Sequence, residues 1–136
     1  TRRLMPGRAA AAESGKLLEQ AAQKVAEDLG LEVASQVRVG RRVWGAERRI
    51  DLVLRQTVSG QRLGLECKYQ GTPGSAEEKI PAVIRDIAAW PIEGLVVIAG
   101  EGFSANMKAY LLSTGKVVFL EDLEVWLRLF FGLELP

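Results

Sequence analysis

The chain has 136 residues, 48% of them hydrophobic and 26% charged, with a formal net charge of +1. That is the length of one domain with a real core, and the near-zero charge excludes a chain that binds nucleic acid by bulk basicity alone. Histidine is absent and Cys67 is the single cysteine, which excludes histidine triads, imidazole bases, an internal disulfide and a thiolate or imidazole zinc site. Catalysis by such a chain must use carboxylates, lysines, hydroxyls or a hard metal ion held by oxygen.

Residues 1–13, "TRRLMPGRAAAAE", read as a flexible, Ala-rich leader without the apolar segment of a signal peptide. No apolar run reaches the roughly 18 residues of a membrane span. Lone-cysteine usage suits a reducing cytoplasm, so a cytoplasmic location is expected. Residues 14–136 are expected to form one domain.

The spacing of Leu18, Ala22, Val25 and Leu29 predicts a helix over 15–29, with Ser14 as N-cap and Gly30 ending it. Residues 32–39 alternate as a strand, "GRRVWGAE" turns, and residues 48–55 alternate again as "RRIDLVLR". A Ser59-Gly60 turn leads to a third strand over 62–69. After the loop "GTPGS", residues 76–90 have a helical pattern, and Ser75 with Glu78 fits a capping box. Pro81 conflicts with that start, because proline belongs in a first turn. The helix therefore begins nearer Pro81 or has an irregular first turn. "GLVVIA" at 94–99 is the continuous apolar run of a strand covered on both faces. A glycine loop (Gly100, Gly102), a helix near 104–113, a strand at 116–120 and a helix near 121–131 complete the chain. The order α-β-β-β-α-β-α-β-α, a meander followed by alternation, predicts an α/β domain with a mixed sheet.

The third strand carries the informative pattern. Leu63, Leu65, Cys67 and Tyr69 form an apolar face, and Gly64, Glu66, Lys68 and Gln70 form the other. Residues two apart on a strand share a face at roughly 6.5–7 Å, so Glu66 and Lys68 point into one space, with Gly64 expected to leave room beside them. On the preceding strand Ile50 and Leu52 are expected to face the core, which turns Asp51 the other way, toward Glu66. Two converging carboxylates need a shared proton or a cation. With oxygen ligands alone, that cation is Mg²⁺ or Mn²⁺. A bare Glu-x-Lys is far more often a surface pair of little worth. Here the apolar opposite face, the upstream Asp51 and the helix bearing Glu19 favour a site. Cys67 belongs to the apolar face, as a small buried hydrophobe.

This constellation resembles the PD-(D/E)xK nuclease superfamily, which includes restriction endonucleases, Holliday-junction resolvases and repair or phage nucleases. The family's α-β-β-β-α-β core matches residues 15–99, its acid on the second strand matches Asp51, and its (D/E)-x-K matches Glu66-Cys67-Lys68. The resemblance implies a restriction-endonuclease-like core with a C-terminal α-β-α extension. It implies a Mg²⁺-dependent deoxyribonuclease in which Asp51, Glu66, the Cys67 carbonyl and Glu19 hold the metal and Lys68 positions or activates water. Gln70 and Lys79 would touch metal-bound water or DNA.

Residues 38–49 hold five arginines against Glu47 alone. Arg41, Arg42, Arg48 and Arg49 are expected to hold DNA phosphates by charge, although a solvated hairpin explains the cluster equally well. Trp44 in that turn fits base stacking or simple turn packing. Trp90, Trp126, Phe130 and Phe131 read as core or dimer contacts, and "VWLRLFFGL" as a last core helix or, less simply, a homodimer face. The alternative to an enzyme is a non-catalytic nucleic-acid-binding or assembly domain on the same fold.

Overall fold

The computed structural model describes residues 14–41, 47–72 and 79–136. The leader at 1–13, Arg42, Trp44 and the capping pair Ser75 and Glu78 lie outside the described residues, as does the side chain of Arg41. Among the described residues, four helices flank a five-stranded sheet. The elements are α1 (Gly15–Asp28), β1 (Glu32–Arg41), β2 (Glu47–Arg55), β3 (Arg62–Tyr69), α2 (Ile80–Ile87), β4 (Gly94–Ala99), α3 (Ala105–Ser113), β5 (Val117–Phe119) and α4 (Leu123–Phe131). A 3-10 turn over Leu120–Asp122 leads into α4.

The strands lie in the order β1-β2-β3-β4-β5. The first three form an antiparallel meander, and β3, β4 and β5 run parallel. Two cores fill the layers. Leu18, Ala22 and Val25 of α1 and Leu123, Leu127 and Phe131 of α4 pack on Leu52, Leu54, Leu63, Leu65 and Cys67. On the opposite face, Ile80, Ile87, Trp90, Phe103 and Leu111 pack on Val96 and Ile98. β4 alternates between them, with Leu95, Val97 and Ala99 in one core and Val96 and Ile98 in the other. Its unbroken apolar run is the consequence of cover on both faces.

Local chemistry sets the element ends. The Ser14 hydroxyl accepts the Leu17 N–H at 3.1 Å, capping α1. Gly30, at φ +83°, follows the last turn of α1. Helix α2 starts at Ile80 with Pro81 in its first turn, where a missing N–H costs nothing. It ends at Ile87, short of the Trp90 expected from periodicity. The last helix buries Leu123, Leu127 and Phe131 and so belongs to the core, while Val125 and Leu129 face outward. Trp126 stacks on Phe130 with ring centroids 5.3 Å apart.

Gly64 does not leave open space. A Cβ there would stand 2.7 Å from the Trp90 ring and 3.1 Å from Ile50 Cγ2. The glycine exists so that the indole can lie against the strand, next to the carboxylate-bearing stretch.

Candidate active site

The site begins where two strands part. β2 and β3 are paired from Arg55–Arg62 to Leu52–Leu65, and the pairing stops there. The next residues are Asp51 and Glu66. Instead of a further ladder bond, the Cys67 N–H donates to Asp51 Oδ2 at 2.9 Å. A side chain has replaced a main-chain acceptor, so β2 is held near β3 but not on it.

Regular alternation is not what orients Asp51. Leu52 packs in the α1 core and Ile50 in the α2 core. They do not share a face, because the alternation of β2 breaks as the strand leaves its partner. Asp51 sits at that break, and its charge reaches Glu19 on α1 and Glu66 on β3.

The carboxylates of Glu19, Asp51 and Glu66 form an electrostatic group. Glu66 has a half-buried side chain and its pKa is pushed up to about 7, first by burial, then by the negative charge of Asp51. Lys68 and then a hydrogen bond from the Asp51 backbone to the Glu66 carboxylate oppose this, and Asp86 of α2 adds to it. Glu19 on α1 is also raised, by burial and then by Asp51. Its Oε1 accepts from Gln36 Nε2 at 3.3 Å. Gln36 takes a left-handed φ of +52° on β1, a conformation uncommon outside glycine. Lys68 Nζ lies 3.7 Å from Glu66 Oε2, an ion pair too long for a good hydrogen bond.

Glu66 Oε1 is buried and has no hydrogen-bond partner among the described residues. An unpaired buried carboxylate oxygen is costly. Beside another carboxylate it calls for a proton or a cation. Among the described residues no three Asp, Glu or Cys side chains close around a point as a full metal cage would. That donor set fits Mg²⁺ or Mn²⁺, which takes one or two carboxylates and keeps several waters. Cys67 itself is buried in the α1 core, and its thiol is pushed up by burial and then by Asp51. It is an inert hydrophobe, and only its backbone borders the site.

Several expected contacts stand elsewhere. Gln70 is buried, its Nε2 donating to Gly102 O at 2.8 Å, so it does not extend the face of Glu66 and Lys68 outward toward DNA. The chain has left the strand by then and turns against the end of β4, with Gln70 N bonded to Ala99 O and Gly102 N to Gln70 O. Gly100 and Gly102 admit this crossing, since a Cβ on either would collide with the backbone of Gln70 or Thr72. Lys79 is exposed at the start of α2. Arg38 and Arg49 both reach Glu47 at 3.4 Å. Arg48 is half-buried against Asp86, Nε to Oδ1 3.1 Å, so it is not a solvated charge. Gln36 and Asp86 carry no signal in the sequence. Only the strand register and the docking of α2 bring them to the carboxylates.

No helix of the described residues is long and apolar enough to cross a membrane. Comparison with known proteins adds the family. No curated protein matches the chain. Two crystal structures share its fold. One is of a protein of unknown function, AF1548, at 21% identity and a TM-score of 0.52, covering 74% of this chain and 54% of that one. The other is of protein VC1899 from Vibrio cholerae, at 12% identity and a TM-score of 0.53, covering 81% of this chain and 31% of that one. The chain thus spans about half of the first and a third of the second. The sequence model of the PD-(D/E)XK nuclease superfamily domain matches residues 10–118, a stretch that contains the helix of Glu19, the parted strands and Asp51, Glu66 and Lys68. The chain belongs to the PD-(D/E)XK nuclease superfamily.

Proposed function

We propose that this domain hydrolyses DNA phosphodiester bonds with the help of a divalent metal ion. The observation that carries the proposal is the buried, partnerless Oε1 of Glu66 beside the charge of Asp51. Asp51 and Glu66 would hold Mg²⁺ or Mn²⁺, with the Cys67 carbonyl and Glu19 completing the set directly or through water. When bound, such an ion polarises a phosphoryl oxygen and makes water a better nucleophile.

The chain's own residues do the rest. Lys68, whose side chain is 43% exposed and loosely paired with Glu66, would position the attacking water or neutralise charge growing on the phosphate. The Asp51 to Cys67 bond fixes the first carboxylate relative to the second. Gln36 holds Glu19 on its side of the gap. Arginines of the β1–β2 hairpin, Arg41, Arg42, Arg48 and Arg49, would contribute charge toward neighbouring phosphates. By the family likeness the products would carry 5′-phosphates.

The test is cleavage of linear, nicked, single-stranded, flapped and four-way-junction DNA with Mg²⁺, Mn²⁺ or EDTA. Metal-dependent cleavage should fall to background in Glu66→Ala and by about 10²–10⁴-fold in Lys68→Ala. Binding of DNA without cleavage on any substrate, unchanged by either substitution, would replace this proposal with a non-catalytic binding domain.

A further inference from the structure

Arg48 is set apart from Arg38 and Arg49 of its hairpin by how it is held. It lies on β2, three residues before Asp51, about 10 Å along the strand. Its side chain is only 19% exposed, and Nε donates to Asp86 Oδ1 at 3.1 Å. Among the described residues, neither terminal nitrogen of this guanidinium makes a further hydrogen bond. Asp86 sits on α2, close enough to Glu66 to raise its pKa. One carboxylate therefore touches the site electrostatically and orients a guanidinium at its border.

Guanidinium geometry gives this meaning. Arg presents five N–H donors in a rigid plane, and two terminal groups match two oxygens of a phosphate. Anchoring through Nε fixes the plane and leaves the two terminal amino groups on its other edges. A long, exposed arginine must be immobilised when it binds, whereas one already pinned loses less freedom. Arg38 and Arg49 contrast with it. Their partner Glu47 is shared, the contacts are 3.4 Å, and their side chains are 70% and 48% exposed.

We propose that Asp86 is a positioning residue that aims Arg48 at a backbone phosphate of duplex DNA flanking the one at Asp51 and Glu66. This rests on the nuclease reading for its substrate. The contact reads no bases and sets the register of the strand on the enzyme. It also makes α2 part of the DNA-binding surface although its apolar face is turned to the core.

The experiment is duplex binding by fluorescence anisotropy in EDTA over a salt series, with the full chain and Arg48→Ala, Arg48→Lys, Asp86→Asn and the double variant Arg48→Ala/Asp86→Asn. Arg48→Ala should weaken binding and lower the salt slope by about 0.9, the value for one phosphate contact. Arg48→Lys keeps the charge and an ion pair but lacks the fork, and should also bind several-fold more weakly. Asp86→Asn raises the net charge by one. A general charge effect would tighten binding, whereas positioning predicts several-fold weaker binding in the parent and no further loss in the Arg48→Ala background. Tighter or unchanged binding in Asp86→Asn, full rescue by lysine, or an unchanged salt slope in Arg48→Ala would each overturn the proposal. Binding is read without cleavage, so these results are separate from the loss of activity in Glu66→Ala that tests the nuclease reading.

Discussion

β3 and β4 are parallel neighbours in register, and they meet the same surroundings in opposite ways. Glu66 stands beside Val96 and Lys68 beside Ile98. All six residues of β4 are buried. It has a strand on each side and a core on each face, and its sequence is apolar throughout. β3 starts the same way, with Leu63, Gly64 and Leu65 buried. Then β2 leaves, and the second half of β3 is paired on one side only. The half-buried charges Glu66 and Lys68 begin at that point. The site is therefore made by withdrawing a strand from a sheet, and the carboxylates line the vacated edge.

Moving one charge between the strands tests this comparison most severely. Val96→Glu puts the residue type of Glu66 on the neighbouring strand, under Trp90, Phe103 and Leu111. A carboxylate sealed there costs several kcal/mol, and circular dichroism should show an unfolded or grossly destabilised chain at neutral pH. A variant that melts near the parent would mean that β4 is not sealed as described.

The opposite change should stabilise. A carboxyl whose folded pKa is about 7 against an ordinary 4.5 keeps its proton longer in the folded chain. Between those values the folded state binds more protons than the unfolded, so stability falls as pH rises through that window. The loss is about 3 kcal/mol by pH 8. Glu66→Gln should remove it, melting higher than the metal-free parent at pH 8 and close to it near pH 4.5. Melting curves that stay parallel across this range would show that Glu66 bears no such burden. Divalent metal should raise the parent's melting temperature at pH 8 and leave the variant nearly unmoved.

The smallest effect concerns the boundary between the two halves of β3. Gly64→Ala forces a methyl against the Trp90 ring, a misfit of about 1–3 kcal/mol. Urea unfolding should give a lower midpoint with an unchanged slope. No change in midpoint would mean that the indole can give way.

Much of this was legible in the residues, and the reason differs by element. β3 and β4 were readable to their end residues because period-2 alternation and an unbroken apolar run are local consequences of burial. Asp51, Glu66 and Lys68 stood out because charges on such strands need a reason. Gln70 departs from the alternation because the strand ends at Tyr69 and the backbone turns to meet Gly102. The space beside Gly64 is filled by Trp90, which comes from 26 residues further along and which alternation within the strand does not reveal. Gln36, Arg48 and Asp86 depend on which strand lies beside which and where α2 docks. Periodicity carries no such information, and a glutamine or an aspartate on an amphipathic segment looks like ordinary solvated surface.

The bond from the Cys67 N–H to Asp51 has a use beyond architecture. Most amides of a sheet exchange with solvent only when strands separate. This one is protected by a single carboxylate at the centre of the site, so its exchange rate and resonance position follow the state of that carboxylate. In an isotope-labelled sample, one backbone signal would register metal arrival and the approach of DNA, with no label attached near the chemistry.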